Sequence, residues 1–327
     1  MAALVTIGVP IYKRLSFLPN VLRSVSEQDY SDLELIVSDN GMNGGQVSTL
    51  VKEYYPRPFK IRQNATIETM STHFNQIINA ASGKYFILLC DDDEISSNYV
   101  SELVSLLEQN RHASIALARQ EIMDEHGTVI RSSGDNLPPL ISGPDFVRAA
   151  WQTHQYKYEG FATYLARTDQ LKTCGGYPEF CKGLSHDDAL VLKLCIDNYV
   201  ALSSQCAFRF RIYQSSHGAT ISIEDVRQAT IEFLQFLKTN PQIKQFALKQ
   251  PSEWQSLKET VERMNWEFYH ERWSGMYRET LTTFQWIKAA FALPFIPGYY
   301  MRVASTLTHT PRISLASWAK ALLMIRG

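Results

Sequence analysis

Four consecutive acidic residues, Asp91 to Glu94, follow a short apolar run in this chain of 327 residues. Alternate carboxylates at Asp91 and Asp93 are hard oxygen ligands of the kind that Mg²⁺ and Mn²⁺ prefer, with positions left open for phosphate oxygens and water. Packing like charges together is costly unless a positive charge neutralises them. The run therefore predicts a divalent-cation site. The alternative is a solvated acidic turn that begins the next helix.

Two further segments carry groups that suit a nucleotide. Residues Pro10 to Arg14 include Tyr12, on which a base could stack, and two cations that could pair with a diphosphate. Asp39 ends a second apolar run, and its carboxylate can accept hydrogen bonds from a base or a ribose hydroxyl. The chain lacks the glycine-rich motifs of dinucleotide oxidoreductases and P-loop enzymes, so both classes are disfavoured.

The first half of the chain alternates short apolar runs with helical periodicity, which is typical of a doubly wound, mostly parallel sheet. A helix capped by Ser16 and a second helix over 70–81 are predicted between the strands. Ligands of open α/β sheets bind at the carboxyl ends of the strands, so the three segments should meet at one edge. The predicted strands cover residues 4–9, 33–37, 59–62 and 85–90.

Residues 110–220 show a looser pattern that predicts short strands. From Ile223 onward apolar residues recur at helical spacing, and Asn240-Pro241 should end that helix. The expected organisation is an α/β domain over residues 1–220 and a helical region over 221–327.

Five segments, taken in order along the chain, resemble the family 2 glycosyltransferases, which have the A-type glycosyltransferase fold. They are residues 5–14, 34–40, 80–93, 174–180 and 186–194. The resemblance implies a Rossmann-like catalytic domain followed by a helical C-terminal extension. It also implies an inverting, metal-dependent enzyme that moves a sugar from a nucleotide-sugar donor, UDP-sugars foremost, to an acceptor hydroxyl.

The same resemblance implies roles for individual residues in holding the donor and its metal. Asp91 and Asp93 would hold Mg²⁺ or Mn²⁺, with Asp93 as the preferred direct ligand. The residues implied in holding the nucleotide-sugar are Pro10, Tyr12, Arg14, Asp39 and Asp92.

The family's catalytic base is the Asp of a Glu-Asp pair that opens a helix. Aligning the helix after residue 186 places His186-Asp187 on that pair, which implies Asp187 as the base. A shift of one residue would select Asp188 instead, and either position is also a favourable one for a carboxylate that only begins a helix. His186 departs from the family's usual Glu.

Residues 209–220 are similar to the family's segment that closes over the donor phosphates. His217 could add a contact to the metal or the diphosphate, although a solvated loop histidine is the alternative. Gly218 would supply a hinge for closure.

The last 47 residues, 281–327, carry five Lys or Arg, no Asp or Glu, and several aromatic residues. This composition predicts contact with a membrane surface, and hence a lipid-linked saccharide acceptor such as those of O-antigen or capsule biosynthesis. The alternative is a helical tail packed on the core or on a second subunit, which would make the protein a homo-oligomer.

The overall composition excludes several function classes. Basic and acidic residues number 32 and 33, so the chain has no field to attract nucleic acid. The N-terminus carries no signal peptide, so a cytoplasmic protein is expected, peripheral on the inner face of the membrane if the tail binds lipid. Two other functions stay open: a metal-dependent phosphoester or pyrophosphate hydrolase, and a non-catalytic scaffold.

Overall fold

The computed structural model describes residues 2–134, 137–152, 163–216 and 220–277. The chain divides into two compact units, residues 1–258 and 259–327. The first unit contains the sheet and most of the described helices, and the described part of the second, residues 259–277, is helical. No described helix combines the length and the apolar character that crossing a bilayer requires.

The described part of the chain forms one mixed sheet of ten strands, in the order β3-β2-β1-β4-β9-β6-β10-β5, with β7 paired to β6 and β8 to β10. The longest ladders, β1 with β2 and β6 with β10, are parallel, and the antiparallel ladders are short. The sheet is therefore mostly parallel, as predicted. The strands are β1 Val5–Ile11, β2 Leu33–Asp39, β3 Phe59–Gln63, β4 Tyr85–Leu88, β5 Glu94–Ile95, β6 Ala113–Met123, β7 Val129–Ser133, β8 Leu140–Ser142, β9 Leu165–Arg167 and β10 Tyr199–Arg211.

Helices cover both faces of the sheet, as its near-continuous apolar strands require. Val5, Ile7 and Val9 of β1 are fully buried in a core that includes apolar residues of α1, α2 and α4. Ile77 of α3 lies against the other face, next to Gly8. The helices are α1 Leu18–Ser26, α2 Gly45–Tyr54, α3 Met70–Ala80, α4 Tyr99–Gln109, α5 Gly143–Val147, α6 Thr168–Thr173, α7 His186–Cys195, α8 Ile223–Thr239, α9 Pro241–Lys249 and α10 Pro251–Tyr277.

The start of α1 differs from the prediction. The helix begins at Leu18 with Phe17 at the N-cap position and no side-chain capping bond, so the predicted cap by Ser16 is wrong. The Phe17 ring instead lies 5.3 Å from the Tyr213 ring and 4.6 Å from the Arg211 guanidinium. Long-range packing at the sheet edge therefore accompanies this helix start in place of a local cap.

The region 110–220 was expected to hold short strands, yet β6 has 11 residues and β10 has 13. Both strands contain polar residues, so the pattern of apolar residues did not indicate their full length. Glu121 of β6 accepts a hydrogen bond from Arg209 Nε of β10 at 2.9 Å, and it also pairs with Arg119. Charged partners thus replace apolar contacts along the carboxyl ends of both strands.

Helices α8 and α9 belong to the same compact unit as the sheet. Glu232 of α8 accepts a hydrogen bond from the Cys181 backbone N–H at 2.6 Å. The centres of the tilted Phe233 and Phe180 rings lie 5.8 Å apart. The predicted domain boundary at 220/221 stays a prediction, with the described α8 already packed on the segment that precedes α7.

A close approach of two helices occurs at Gly143, the first residue of α5. A Cβ atom there would lie 1.7 Å from the carbonyl oxygen of Cys195 at the end of α7. We expect Gly143→Ala to lower the free energy of unfolding by about 2 kcal/mol or more, because the obstacle is backbone. Gly45→Ala, at a helix start with open space around it, should change it by less than about 0.5 kcal/mol. Urea unfolding of both variants tests this, and equal midpoints would contradict it.

Candidate active site

The acidic run follows β4 at the carboxyl edge of the sheet. Asp93 is 1% exposed, and its Oδ1 accepts a hydrogen bond from the Arg211 backbone N–H at 3.0 Å. Burial, followed by the charge of Asp92, raises the pKa of Asp93 well above its usual value. Burial and Asp92 also raise the pKa of Asp91, to about 7. This edge of the sheet therefore contains carboxylates whose ionised forms are unfavourable unless more positive charge is brought to them.

Arg14 supplies part of that charge. One guanidinium nitrogen lies 3.1 Å from Asp91 Oδ1 and 2.9 Å from Asp92 Oδ2. The guanidinium sits between two aromatic rings, 5.6 Å from Phe17 and 4.8 Å from Tyr213. Its Nε is buried and has no hydrogen-bond partner among the described residues. Arg14 thus pairs with Asp91, one of the two carboxylates predicted as cation ligands, and with its neighbour Asp92.

Arg211, at the end of β10, lies in the segment 209–220, and no separate role was predicted for it. It is 2% exposed, and its Nε donates to the Asp92 carbonyl oxygen at 2.8 Å. A terminal nitrogen pairs with the Glu94 carboxylate. Two more bonds reach the carbonyl oxygens of Asp124 and Glu125. Arg211 therefore fixes the acidic run to the loop after β6. The sequence signal for a role of Arg211 was its position at the end of a strand, beside the ends of other strands.

The candidate nucleoside residues lie at the neighbouring strand ends. Pro10 is buried in β1 beside Ser38 of β2. Tyr12 is 48% exposed, and its backbone N–H lies 3.5 Å from Asp91 Oδ2. The Lys13 ammonium lies 5.0 Å from the centre of the Tyr12 ring. An exposed ring beside the acidic run is available for stacking.

Asp39 also stabilises the local structure of the loop that follows β2. It is 1% exposed, and its Oδ1 accepts from the Gly41 backbone N–H and the Asn43 side chain, both at 2.8 Å. Its Oδ2 accepts from the Asn43 backbone N–H at 2.9 Å. Asp39 therefore holds the loop after β2 in shape. A base or ribose donor would have to use the remaining lone pairs of the carboxylate.

Asp187 and Asp188 lie in the first turn of α7, after Ser185 in a left-handed conformation. Burial, with a contribution from Asp188, raises the pKa of Asp187 to about 8. Burial raises the pKa of Asp188 to about 7, against a hydrogen bond with Ser185. Asp187 keeps 33% of its side-chain surface accessible. It is therefore a carboxyl group that solvent or a substrate can reach.

Cys90 connects the two acidic groups in space. Its thiol follows β4, and burial raises its pKa well above the usual value, followed by the charges of Asp93, Asp92, Asp187 and Asp91. The buried phenols of Tyr164 and Tyr177 also have pKa values raised well above normal, by burial and by neighbours that include Asp187. The charges of Asp187 and of the 91–93 run thus both act on the Cys90 thiol, which follows β4.

The segment 174–180, called the Gly-Gly loop for its Gly175 and Gly176, contacts α7. Gly176 has a φ of +61°, and a Cβ there would lie 2.1 Å from Asn75 Oδ1. Asn75 of α3 bonds both the N–H and the carbonyl oxygen of Tyr177, at 2.8 Å each. Lys193 Nζ of α7 donates to the carbonyl oxygens of Cys174 and Gly176. Glycine at 176 therefore lets the loop join α3 to α7.

The residues present fit a divalent cation. Asp91 and Asp93 offer hard oxygen donors, and the raised pKa of Asp91 shows that positive charge is in short supply there. Among the described residues, no three His, Cys, Asp or Glu side chains converge as a complete ligand set. Donor phosphates and water would have to complete the coordination. His217 and Gly218 lie outside the described residues.

The model of glycosyl transferase family 2 matches residues 6–178. The chain belongs to glycosyl transferase family 2. The family 2 match runs from β1 through the acidic run to the Gly-Gly loop, and it ends before Asp187.

Two curated relatives share part of this family 2 sequence. A GalNAc(5)-diNAcBac-PP-undecaprenol beta-1,3-glucosyltransferase of Campylobacter jejuni is 31% identical over 99 residues, 29% of this chain and 32% of the relative. An uncharacterized glycosyltransferase of Haemophilus influenzae is 24% identical over 129 residues, 39% of this chain and 43% of the relative. The chain thus matches less than half the length of these relatives.

Solved structures share the fold. TarS 1–349 of S. aureus, in complex with UDP-GlcNAc, superimposes with a TM-score of 0.64 at 16% identity, over 88% of this chain and 79% of that one. The mannosyltransferase PcManGT from Pyrobaculum calidifontis, in complex with GDP-Man and Mn²⁺, gives 0.57 at 12% identity, over 95% and 82%. The A-type glycosyltransferase fold expected for a family 2 chain is confirmed.

The pKa of Asp187 makes the stability of this family 2 protein depend on pH. The pKa of about 8 lies above the usual value, so the stability that this carboxyl contributes is lost as the pH rises through 8. Asp187→Asn should therefore gain at least about 1 kcal/mol over wild type between pH 5 and pH 9, after discounting for partial exposure. Urea unfolding with EDTA tests this. The exposed Asp29→Asn serves as control, and parallel curves for wild type and Asp187→Asn would contradict it.

Proposed function

We propose that the chain is an inverting, metal-dependent glycosyltransferase that moves a sugar from a nucleotide-sugar to an acceptor hydroxyl. One observation carries the proposal: the charges of Asp187 and of the 91–93 carboxylates all raise the pKa of the same thiol, Cys90, which follows β4. A base and a cation-binding group on opposite sides of one cleft are what a displacement at a sugar carbon requires. Family 2 membership supports the same chemistry.

The donor would lie across the ends of β1, β2 and β4. Tyr12 offers an exposed ring for the base, and Pro10 and Asp39 shape the floor and the loop beneath it. Arg14 pairs with Asp91 and Asp92 and can turn toward the diphosphate when a cation takes its place. A UDP-sugar is the proposed donor. TarS with UDP-GlcNAc and PcManGT with GDP-Man support the class of donor and leave the sugar open.

Asp91 and Asp93 would hold the cation, which when bound supplies positive charge to the diphosphate as it departs. The Arg211 backbone N–H holds the Asp93 carboxylate in its buried position at 3.0 Å. Arg211 itself is fixed by the loop after β6, so this positioning does not depend on the donor. The Mn²⁺ in the PcManGT complex supports this assignment.

Asp187 would act on the acceptor. A sugar hydroxyl is a poor nucleophile, so a carboxylate must take its proton as the new bond to the anomeric carbon forms. The diphosphate then leaves with the electrons of the bond that breaks. Attack on the face opposite to the leaving group inverts the configuration. Asp187 suits this role because 33% of its side-chain surface is accessible.

The proposed acceptor is a lipid-linked saccharide. The Campylobacter relative is named for a polyprenyl-diphosphate-linked saccharide, and it supports this acceptor class in cell-surface polysaccharide synthesis. The basic, aromatic segment 281–327 lies outside the described residues, and its composition supports contact with the inner face of the cytoplasmic membrane. The same segment as a contact between two subunits remains the alternative.

We expect Asp187→Asn to lower kcat for sugar transfer by about 10²–10⁴-fold, because general-base catalysis contributes that much. The affinity for UDP with Mn²⁺ should change less than threefold, since Asp187 faces the acceptor side. Asp188→Asn is the matched control on the same turn and should lose less than tenfold. Transfer to a polyprenyl-diphosphate-linked saccharide, assayed by chromatography over a panel of nucleotide-sugars, gives the rates.

Three results would contradict the proposal. Equal losses in the two variants would leave no base among these carboxylates. Release of nucleoside monophosphate at the same rate without acceptor would favour a pyrophosphate hydrolase. Absence of turnover by wild type with every donor would favour a scaffold.

A further inference from the structure

A polar cavity of about 200 Å³ is lined by residues of α6, α7 and α9 and by the start of the Gly-Gly loop. All of its lining residues belong to the first compact unit, and none of them is a candidate donor, metal or base residue. A single water needs roughly 10–15 Å³ of such space, so the cavity has room for a ligand with the size of a sugar ring. The cavity is therefore a candidate for a second binding site.

Two glutamine side chains that line this cavity lack hydrogen-bond partners. The Oε1 atoms of Gln170 on α6 and Gln242 on α9 are buried, and neither has a partner among the described residues. A buried amide oxygen without a donor is unfavourable. A hydroxyl group both donates and accepts, so it can bond an amide in either of its two orientations. The two glutamines therefore favour a ligand that carries several hydroxyl groups.

Lys193 of α7 adds a hydrogen-bond donor to the same lining. It is 6% exposed, and its Nζ donates to the carbonyl oxygens of Cys174 and Gly176. An ammonium group has three hydrogens, so one is left for an oxygen of a ligand. The carboxylate of the exposed Asp169 also lines the cavity and balances the charge of Lys193. A neutral ligand with hydroxyl and acceptor oxygens matches this lining.

Other classes of ligand fit the cavity less well. Among the described residues, no three His, Cys, Asp or Glu side chains converge, so the lining does not resemble a divalent-cation site. An inorganic anion would meet the Asp169 carboxylate and two amide oxygens, all of which repel negative charge. An apolar ligand would leave both amide oxygens buried without donors.

We propose that this cavity binds a neutral saccharide residue, separate from the sugar that reacts. Hydroxyl groups of the saccharide bond the amides of Gln170 and Gln242, and another of its oxygens accepts from Lys193. Lys193 follows Asp187 by six residues on α7, about 9 Å along the helix, so the two sites are distinct. The choice of a saccharide among hydroxyl-rich ligands rests on the function proposed above.

Ligand-observed saturation-transfer NMR on the full chain tests the site, with the methyl glycosides of glucose, galactose and N-acetylglucosamine as probes. Gln170→Leu and Gln242→Leu keep a side chain of similar size and remove the amide. Each should weaken saccharide binding roughly threefold to tenfold, because each removes a hydrogen bond. Gln245→Leu, at an exposed position of α9 outside the cavity lining, is the matched control and should leave the affinity unchanged.

The stability of the same variants separates binding from a structural role. The buried Oε1 atoms have no partners, so replacing them with apolar atoms should leave the urea midpoint unchanged or raise it. The backbone N–H of Gln170 donates to Asp169 Oδ1 and that of Gln242 to Asn240 Oδ1, and neither substitution removes these bonds. A lower midpoint in both variants, with the saccharide affinity retained, would overturn the proposal.

Cys174 reports the location of the bound saccharide without any turnover. This half-buried residue lines the cavity, whereas the half-buried Cys181 does not. Saturating saccharide should slow the alkylation of Cys174 by iodoacetamide and leave the rate at Cys181 unchanged, as measured by mass spectrometry of the peptides. The double variant Gln170→Leu/Gln242→Leu should lose this protection. Equal protection in wild type and the double variant would contradict the assignment.

The remaining outcomes distinguish this inference from the proposed function. Binding of none of the three glycosides, or binding of inorganic phosphate in their place, would overturn the inference even if sugar transfer is confirmed. Saccharide binding that depends on Gln170 and Gln242 supports it. The same binding in a protein that transfers no sugar from any donor would count against the proposed function alone.

Discussion

The burial of consecutive carboxylates at the end of β4 is the constraint on which the rest of the site depends. A strand buried on both faces delivers Asp91 and Asp93 into a region of low solvation, where their ionised forms are unfavourable. Arg14 and Arg211 offset this, one from the loop after β1 and one from the end of β10. Elements far apart in the chain are thereby drawn to one edge of the sheet.

The N-terminus of α7 also carries carboxyl groups whose ionised forms are made unfavourable by burial. Burial raises the pKa of Asp187 and Asp188, and such groups reduce stability at neutral and higher pH. Carboxyl groups of this kind are common where a pKa near the working pH is useful. The two acidic clusters, 91–93 and 187–188, are separate in the chain, and charges from both raise the pKa of the Cys90 thiol. A donor and an acceptor bound between the two acidic clusters would interact with both of them.

Sequence patterns predicted the first four strands, the parallel sheet and the position of the acidic run, because apolar strands and strand-end carboxylates are local signals. The length of β6 and β10 was missed because ion pairs such as Arg209 with Glu121 replace apolar residues there. The start of α1 was misplaced because Phe17 packs against Tyr213, nearly two hundred residues away. The bonds of Arg211 to the acidic run are tertiary contacts that spacing does not encode.

The central claim is that one cleft neutralises the buried 91–93 run with a cation and a nucleoside diphosphate, opposite Asp187. A crystal structure of the protein with UDP and Mn²⁺ tests it most directly, with the ion located by its anomalous signal. The account predicts the ion bonded to Asp91 or Asp93 and to the diphosphate, with the Arg14 guanidinium moved off these carboxylates and Asp187 across the open space. Nucleotide bound at another edge of the sheet, with Arg14 still closing the acidic run, would contradict it.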